Sequence, residues 1–265
     1  MQFWLVAVLL GVVEGLTEFL PVSSTGHLII TGHLLGFTGD AAATFEIVIQ
    51  LGAILAVVHL YRDRFLGLVR ADPGRRLSGV RGLWLLFLTS LPASLLGLFA
   101  RGLIKAHLFG PLTVALALAA GALLILWVES RRKRPTCFAL DDITPALALG
   151  IGCFQCLALW PGFSRAGATI MGAMLLGLDR KAAAEYSFIA AVPIMVAATG
   201  YEFWKSRELM DGSGLGVLAV GFAAAFVSAL FAVKWFVRML TRSTLKPFAW
   251  YRLALAPLVW LFWSR

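Results

Sequence analysis

The sequence predicts an all-α polytopic membrane protein with six transmembrane helices and two re-entrant helical hairpins, arranged as an inverted-topology repeat. Three observations lead there. Of 265 residues, 60% are hydrophobic and only 14% charged, far from the balance of soluble domains. Apolar runs long enough to cross a hydrocarbon core of about 30 Å recur along the chain. Two other apolar regions are broken by proline, glycine and serine, at residues 21–26 and 161–167.

In chain order, residues 1–36 read as two short helices meeting at the first break. The part after it, 24–36, rises only about 20 Å at 1.5 Å per residue, too little to span. Full spans follow at 42–60, 83–100 and 111–129. Residues 143–178 repeat the broken pattern, and spans at 186–202, 215–238 and 248–263 complete the chain. Broken backbone at membrane depth is tolerated only where protein buries it or a watery cavity reaches it, so the hairpins imply a cavity.

Sliding the sequence by 140 positions pairs Pro21 with Pro161, Ser24 with Ser164, Ile30 with Ile170, Gly32 with Gly172 and Leu35 with Leu175. The chain is thus expected to be one membrane domain, 1–265, with internal repeats at about 1–130 and 141–265. A hairpin returns to its starting side and three crossings follow, so the second half begins on the opposite face. The two breaks then approach each other near the midplane.

The formal charge of +9 does not point to nucleic acid, because the basic residues sit in short loops and no soluble domain carries them. Arg62, Arg64, Arg70, Arg75, Arg76 and Arg81 lie in one loop, Arg131, Arg132, Lys133 and Arg134 in another, and Arg242 and Lys246 on the same side. These loops are expected to be cytoplasmic. The opposite loops carry Arg101, Lys105, Lys205 and Arg207, offset by Glu202, Glu208 and Asp211. The first apolar stretch lacks a basic leader and runs into Glu14, so it is expected to be retained. Cys153 and Cys156 read as small core residues of an apolar helix, and His33, His59 and His107 as packing or interfacial groups.

The stretch EGLTEFLPVSSTGH concentrates polar chemistry in apolar surroundings. Glu14 and Glu18, at i, i+4, share a helix face; they are functional carboxylates or interfacial charges. Ser23, Ser24, Thr25 and Gly26 offer hydroxyls and amides where a new helix starts, an anion cradle or plain helix caps. His27 can exchange protons near neutral pH. In PGFSRAGAT, Arg165 is the only charge between Asp142 and Asp179. It needs an anionic partner, either Glu14 or Glu18 or the oxygens of a phosphate held by its planar fork. Ser164 and Thr169 add hydroxyls. The reading is a diphosphate site; a transporter with broken helices and midplane carboxylates is the rival class.

EGLTEFLPVSSTGH and GCFQCLALWPGFSRAGAT, with FEIVIQLGAILAVV between them, resemble the undecaprenyl-diphosphate phosphatase family, the bacitracin-resistance proteins, over essentially the whole chain. The resemblance implies hydrolysis of undecaprenyl diphosphate to the monophosphate, recycling the lipid carrier of cell-wall precursors. It places the protein in a bacterial inner membrane with its site facing the extracytoplasmic side. The family's acidic motif falls on Glu14 and Glu18, its serine and histidine on Ser24 and His27, and its arginine motif on Ser164 and Arg165. Gly162 belongs to the same arginine motif. One departure stands out: the family often has a serine after the arginine, where this chain has Ala166. A divalent cation, Mg²⁺ or Ca²⁺, would be held by Glu14 and Glu18. Ser24 as nucleophile with His27 as proton carrier, or water activated by Glu18 or His27, both stay open, as do a homodimer and an undecaprenyl phosphate flippase.

Overall fold

A computed structural model describes residues 3–72, 74–131, 134–206 and 215–263. Of the residues used above for orientation, Arg132, Lys133, Arg207, Glu208 and Asp211 lie outside the described residues. Among the described residues the protein is all-helical: α1 Phe3–Thr17, α2 Ser24–Leu35, α3 Asp40–Leu60, α4 Arg62–Val69, α5 Gly79–His107, α6 Pro111–Ser130, α7 Pro145–Gln155, α8 Arg165–Leu175, α9 Arg180–Ser206, α10 Leu215–Leu240 and α11 Lys246–Trp263. Two 3₁₀ turns, Leu140–Asp142 and Cys156–Leu159, flank α7.

Among the described residues, five stretches are long and apolar enough to cross a membrane: Ala42–Leu60, Gly79–Ala100, Pro111–Ser130, Arg180–Tyr201 and Leu215–Leu240. The protein is therefore a multi-pass membrane protein. The region expected as a sixth span is the 18-residue α11, which carries the fully buried Arg252 and is not among the five. Helix α1 and the stretch Pro145–Leu159 are shorter apolar helices.

Both breaks are built alike. Ser23 (φ 72°) and Ser164 (φ 75°) are the two non-glycine residues with positive φ among the described residues. Each caps the helix that follows: Ser23 Oγ accepts from Gly26 N at 3.4 Å and Ser164 Oγ from Gly167 N at 3.0 Å. A left-handed serine costs on the order of 1–3 kcal/mol, so the surrounding packing must hold both turns in place. These caps correct the register of the repeat. Ser164 is equivalent to Ser23, an offset of 141, and Ser24 therefore corresponds to Arg165. The second turn has one extra residue between proline and cap, Gly162 and Phe163 against Val22 alone, which an ungapped slide of 140 cannot accommodate.

The helix pairings of the first half recur in the second. Helix α1 packs on α2 and α10, as α7 packs on α8 and α5; α2 lies on α11, as α8 lies on α6. Each hairpin thus leans on the opposite half, and α6–α11 and α3–α9 contacts join the halves through the middle. Where α6 ends and α9 begins, Glu129 accepts from Arg180, and also from Leu245 N at 2.8 Å in the lead into α11.

Asp141 braces the arginine-rich loop, accepting from Leu77 N and Arg64 Nη1, both at 2.9 Å. Burial alone would raise its carboxyl, but these two donors outweigh burial and hold it below the usual carboxylate range. A group depressed in the fold stabilises fully above its unfolded pKa, about 3.9, and loses that stabilisation as pH falls through the depressed value. Asp141→Asn should therefore unfold at a lower temperature than the parent at neutral pH, and the two should converge in detergent melts as pH falls through the depressed value.

The cysteine expectation changes in detail. Cys153 is exposed on the outer face of α7 and Cys156 is half-buried; all three thiols are free. His33, His59 and His107 are exposed, and the His59 ring packs edge-to-face on Phe226.

Candidate active site

The two turns bring Glu18, Ser24 and Arg165 into one contact set. Ser24 Oγ donates to Glu18 Oε2 at 2.6 Å, and Arg165 Nη2 donates to Glu18 Oε1 at 3.0 Å. Arg165 Nη1 reaches Ser187 O at 3.3 Å, its guanidinium lies 5.3 Å from the centre of the Phe19 ring, and its Nε is buried without a partner. Salt-bridge pairing of Arg165 with a glutamate, one of the alternatives raised by the sequence, is thus present, and a donor is left over.

These groups line a 170 Å³ cavity with Ser23, Thr25, Gln50, Pro161, Gly162, Ser164 and Met195. The N-termini of α2 and α8 both start at its wall, so two helix dipoles present positive ends to it. An adjoining cavity of 310 Å³ shares Ser24, Thr25 and Gln50 and adds Glu14 and Glu46. Glu14 is 1% exposed and both its carboxylate oxygens lack hydrogen-bond partners. Together the two form a polar cleft within an apolar body.

Three predicted residues sit elsewhere. Gly26 packs against Leu118, and its amide is taken by Ser23 Oγ. Thr169 is fully buried behind the cleft, bonded to Ser187 Oγ at 2.6 Å and Arg165 O at 2.9 Å, where it steadies the helix turn that carries Arg165. His27 projects from α2 into a separate 440 Å³ cavity lined by Trp235, Met239, Phe248 and Tyr251. Its Nδ1–H donates to Ser23 O at 2.7 Å, which leaves Nε2 to accept from Tyr251 OH at 2.6 Å. The serine hydroxyl is therefore paired with Glu18 and not with His27.

Sequence reasoning missed Glu46, Gln50, Ser187 and Arg252. Glu46 and Gln50 repeat the i, i+4 spacing of Glu14 and Glu18 on an apolar helix, a signal that was available. Arg252 gave a weaker one, a lone charge in the final apolar run. It is 0% exposed and has no carboxylate; instead it donates to Pro21 O (3.3 Å) on one turn and Gly162 O (3.2 Å) and Phe163 O (2.9 Å) on the other. It also donates to Ala117 O and Leu118 O of α6. One guanidinium thereby ties both turns to the centre of the molecule.

Residues 7–258 match the family described as bacitracin resistance protein BacA. The chain is 68% identical to the undecaprenyl-diphosphatase of Maridesulfovibrio salexigens, over 97% of this chain and 98% of that one. It is 64% identical to that of Solidesulfovibrio magneticus, over 98% of each, and 50% identical to that of Lawsonia intracellularis, over 98% and 99%. With a polar cleft at the meeting of two broken helices and this likeness running from end to end, the chain belongs to the BacA bacitracin resistance family.

Proposed function

We infer that this protein is an integral membrane phosphatase hydrolysing undecaprenyl diphosphate to undecaprenyl phosphate and inorganic phosphate. The reaction recycles a cell-wall lipid carrier and underlies bacitracin resistance. One observation carries the chemistry: Ser24, Glu18 and Arg165, from two turns 141 residues apart at the caps, meet at the positive ends of two helices. A terminal phosphate entering the 170 Å³ cavity meets Arg165 and the N-terminal turns of α2 and α8. Such preorganised donors stabilise charge on a transferring phosphoryl group, commonly the largest share of this kind of catalysis.

Ser24 is the nucleophile in the route the contacts favour. Its Oγ attacks the terminal phosphorus, its proton passes to Glu18, and undecaprenyl phosphate leaves; water then hydrolyses the phosphoseryl group and releases phosphate. Arg165 orients Glu18 before substrate arrives and turns to the phosphate afterwards. Direct attack by a Glu18-activated water gives the same products without the phosphoseryl species, so acid-quench trapping of a labelled enzyme separates the routes. His27 serves as a positioning group, tying α2 to α11 through Tyr251.

A divalent cation fits the second part of the cleft. The unpartnered Glu14 carboxylate, Glu46, Gln50 and the Ser24 and Thr25 hydroxyls form an all-oxygen donor set of the type Mg²⁺ or Ca²⁺ takes. Both Glu18 oxygens are already engaged, so Glu46 replaces Glu18 beside Glu14 as the acidic partner. No group of three His, Cys, Asp or Glu that could hold an ion occurs among the described residues, so water and phosphate oxygens would complete its shell. When bound, the ion would neutralise phosphate charge.

In the membrane, α1–α2 and α7–α8 are re-entrant hairpins of an inverted repeat, α11 is the sixth crossing, and the cleft opens on the extracytoplasmic side of the inner membrane. The recurring helix pairs and the basic loops support this arrangement. Cysteines introduced at Arg75 and Arg131 should resist an impermeant thiol reagent on cells whose outer membrane is permeabilised; labelling at both would overturn the orientation.

Phosphate release from a prenyl diphosphate by the purified protein tests the reading. Lipid translocation in liposomes without phosphate release would replace it with the flippase alternative. Glu18→Gln should keep the shape and lower turnover about 10²–10⁴-fold at unchanged expression, the range of a lost general base; near-parental turnover would return Glu18 to a structural partner of Arg165.

A further inference from the structure

The structure assigns the prenyl chain of the substrate to the apolar groove between α5 and α9. This rests on the reading of the polar cleft as the diphosphate site. The groove encloses 610 Å³, and among the described side chains its lining carries no charge; it includes Ser94, Gly97 and Leu98 of α5, Leu159, and Ile194 and Ala197 of α9. It starts where the polar cavity stops. Ala158 and Met195 line the cavity around Arg165, and their chain neighbours Leu159 and Ile194 line the groove. A molecule with its phosphate against Arg165 would pass its apolar end directly between α5 and α9.

The groove also interrupts the symmetry of the helix pairs. In the repeat, α5 and α9 correspond to α10 and α3. The α3–α10 pair is closed so tightly that a Cβ on Gly52 would collide with Phe222 O. Helices α5 and α9 are instead joined near one level, by the Thr89–Tyr186 hydrogen bond of 2.7 Å. Each then carries a proline, Pro92 and Pro193, and the groove lies beyond both. The small side chains of Ala93, Ala197 and Ala198 and the bare Gly97 leave it open. A closed contact in one helix pair and a lined channel in its counterpart is what a site for a single lipid chain requires.

Ser94 and Ala197 are exposed in the groove, one on each wall, so larger residues there fill space without entering the packed core. Ser94→Phe and Ala197→Phe should each raise KM for undecaprenyl diphosphate about tenfold and leave turnover of isopentenyl diphosphate, which has almost no tail, within twofold of the parent. A general structural defect would depress both substrates. Equal effects on the two, or none on either, overturn the proposal. A prenyl diphosphate bearing a diazirine near the end of its tail should, on irradiation, label α5 and α9 along this groove, with unlabelled prenyl diphosphate protecting and excess phospholipid failing to protect. Labelling elsewhere, or protection by phospholipid, also overturns it, because an ordinary membrane lipid would then be the occupant. Labelling of the groove by a parent protein that releases no phosphate would support the groove and sink the phosphatase reading alone.

Discussion

Arg165→Lys should lower phosphate release about 10²–10³-fold while the protein still inserts and stays folded in detergent. Lysine keeps a positive charge near Glu18, so the buried carboxylate is not abandoned. What disappears is the fork: Arg165 now holds Ser187 O with Nη1 and Glu18 with Nη2, and keeps Nε unused. An ammonium cannot hold Glu18 and two phosphate oxygens in fixed directions at once. Turnover and melting temperature measured on one preparation decide the matter. An active, stable lysine variant would mean that Arg165 needs only its charge, and the phosphate contact would have to be given up. Arg165→Ala should in addition destabilise, because it leaves Glu18 buried without its partner.

Arg252→Met should cost about 3 kcal/mol and about 10 °C in melting temperature, with turnover lost alongside. Methionine matches the volume, but five buried carbonyl oxygens on α6 and the two turns lose their donor. Gly121→Ala probes the same joint with the charge intact. A Cβ on Gly121 would collide with the Arg252 guanidinium, so this addition on α6 should displace it and reduce turnover by itself. If Gly121→Ala and Arg252→Met both melt and turn over like the parent, the guanidinium is not the tie between the turns.

Helix class, the two breaks and the polar stretches were legible because they depend on local composition: hydrophobic runs of spanning length, and prolines and serines where a run fails. Which groups would touch was less so. The i, i+4 spacing of Glu14 and Glu18 puts them on one face, yet packing sends Glu18 to Ser24 and Arg165 and leaves Glu14 facing Glu46. His27 looks equivalent to Ser24 in the sequence, but three residues along α2 turn it to the Tyr251 side. Arg252 was hardest to read, since its partners are carbonyls that every residue has. Only the folded chain shows five of them converging.

The tie made by Arg252 also sets an order of manufacture. The Pro21 carbonyl it holds lies 231 residues ahead of it in the chain. In a nascent protein the first two helices, with Glu18 and Ser24, are therefore made long before the residue that holds the turn between them. Half of the molecule already in the bilayer has no Arg165 and no guanidinium to fix its turn, so an interrupted or truncated chain carries carboxylates and serines but no competent phosphatase. Arg252 arrives only with the last helix, so loss of that helix should silence the enzyme as completely as loss of a catalytic group.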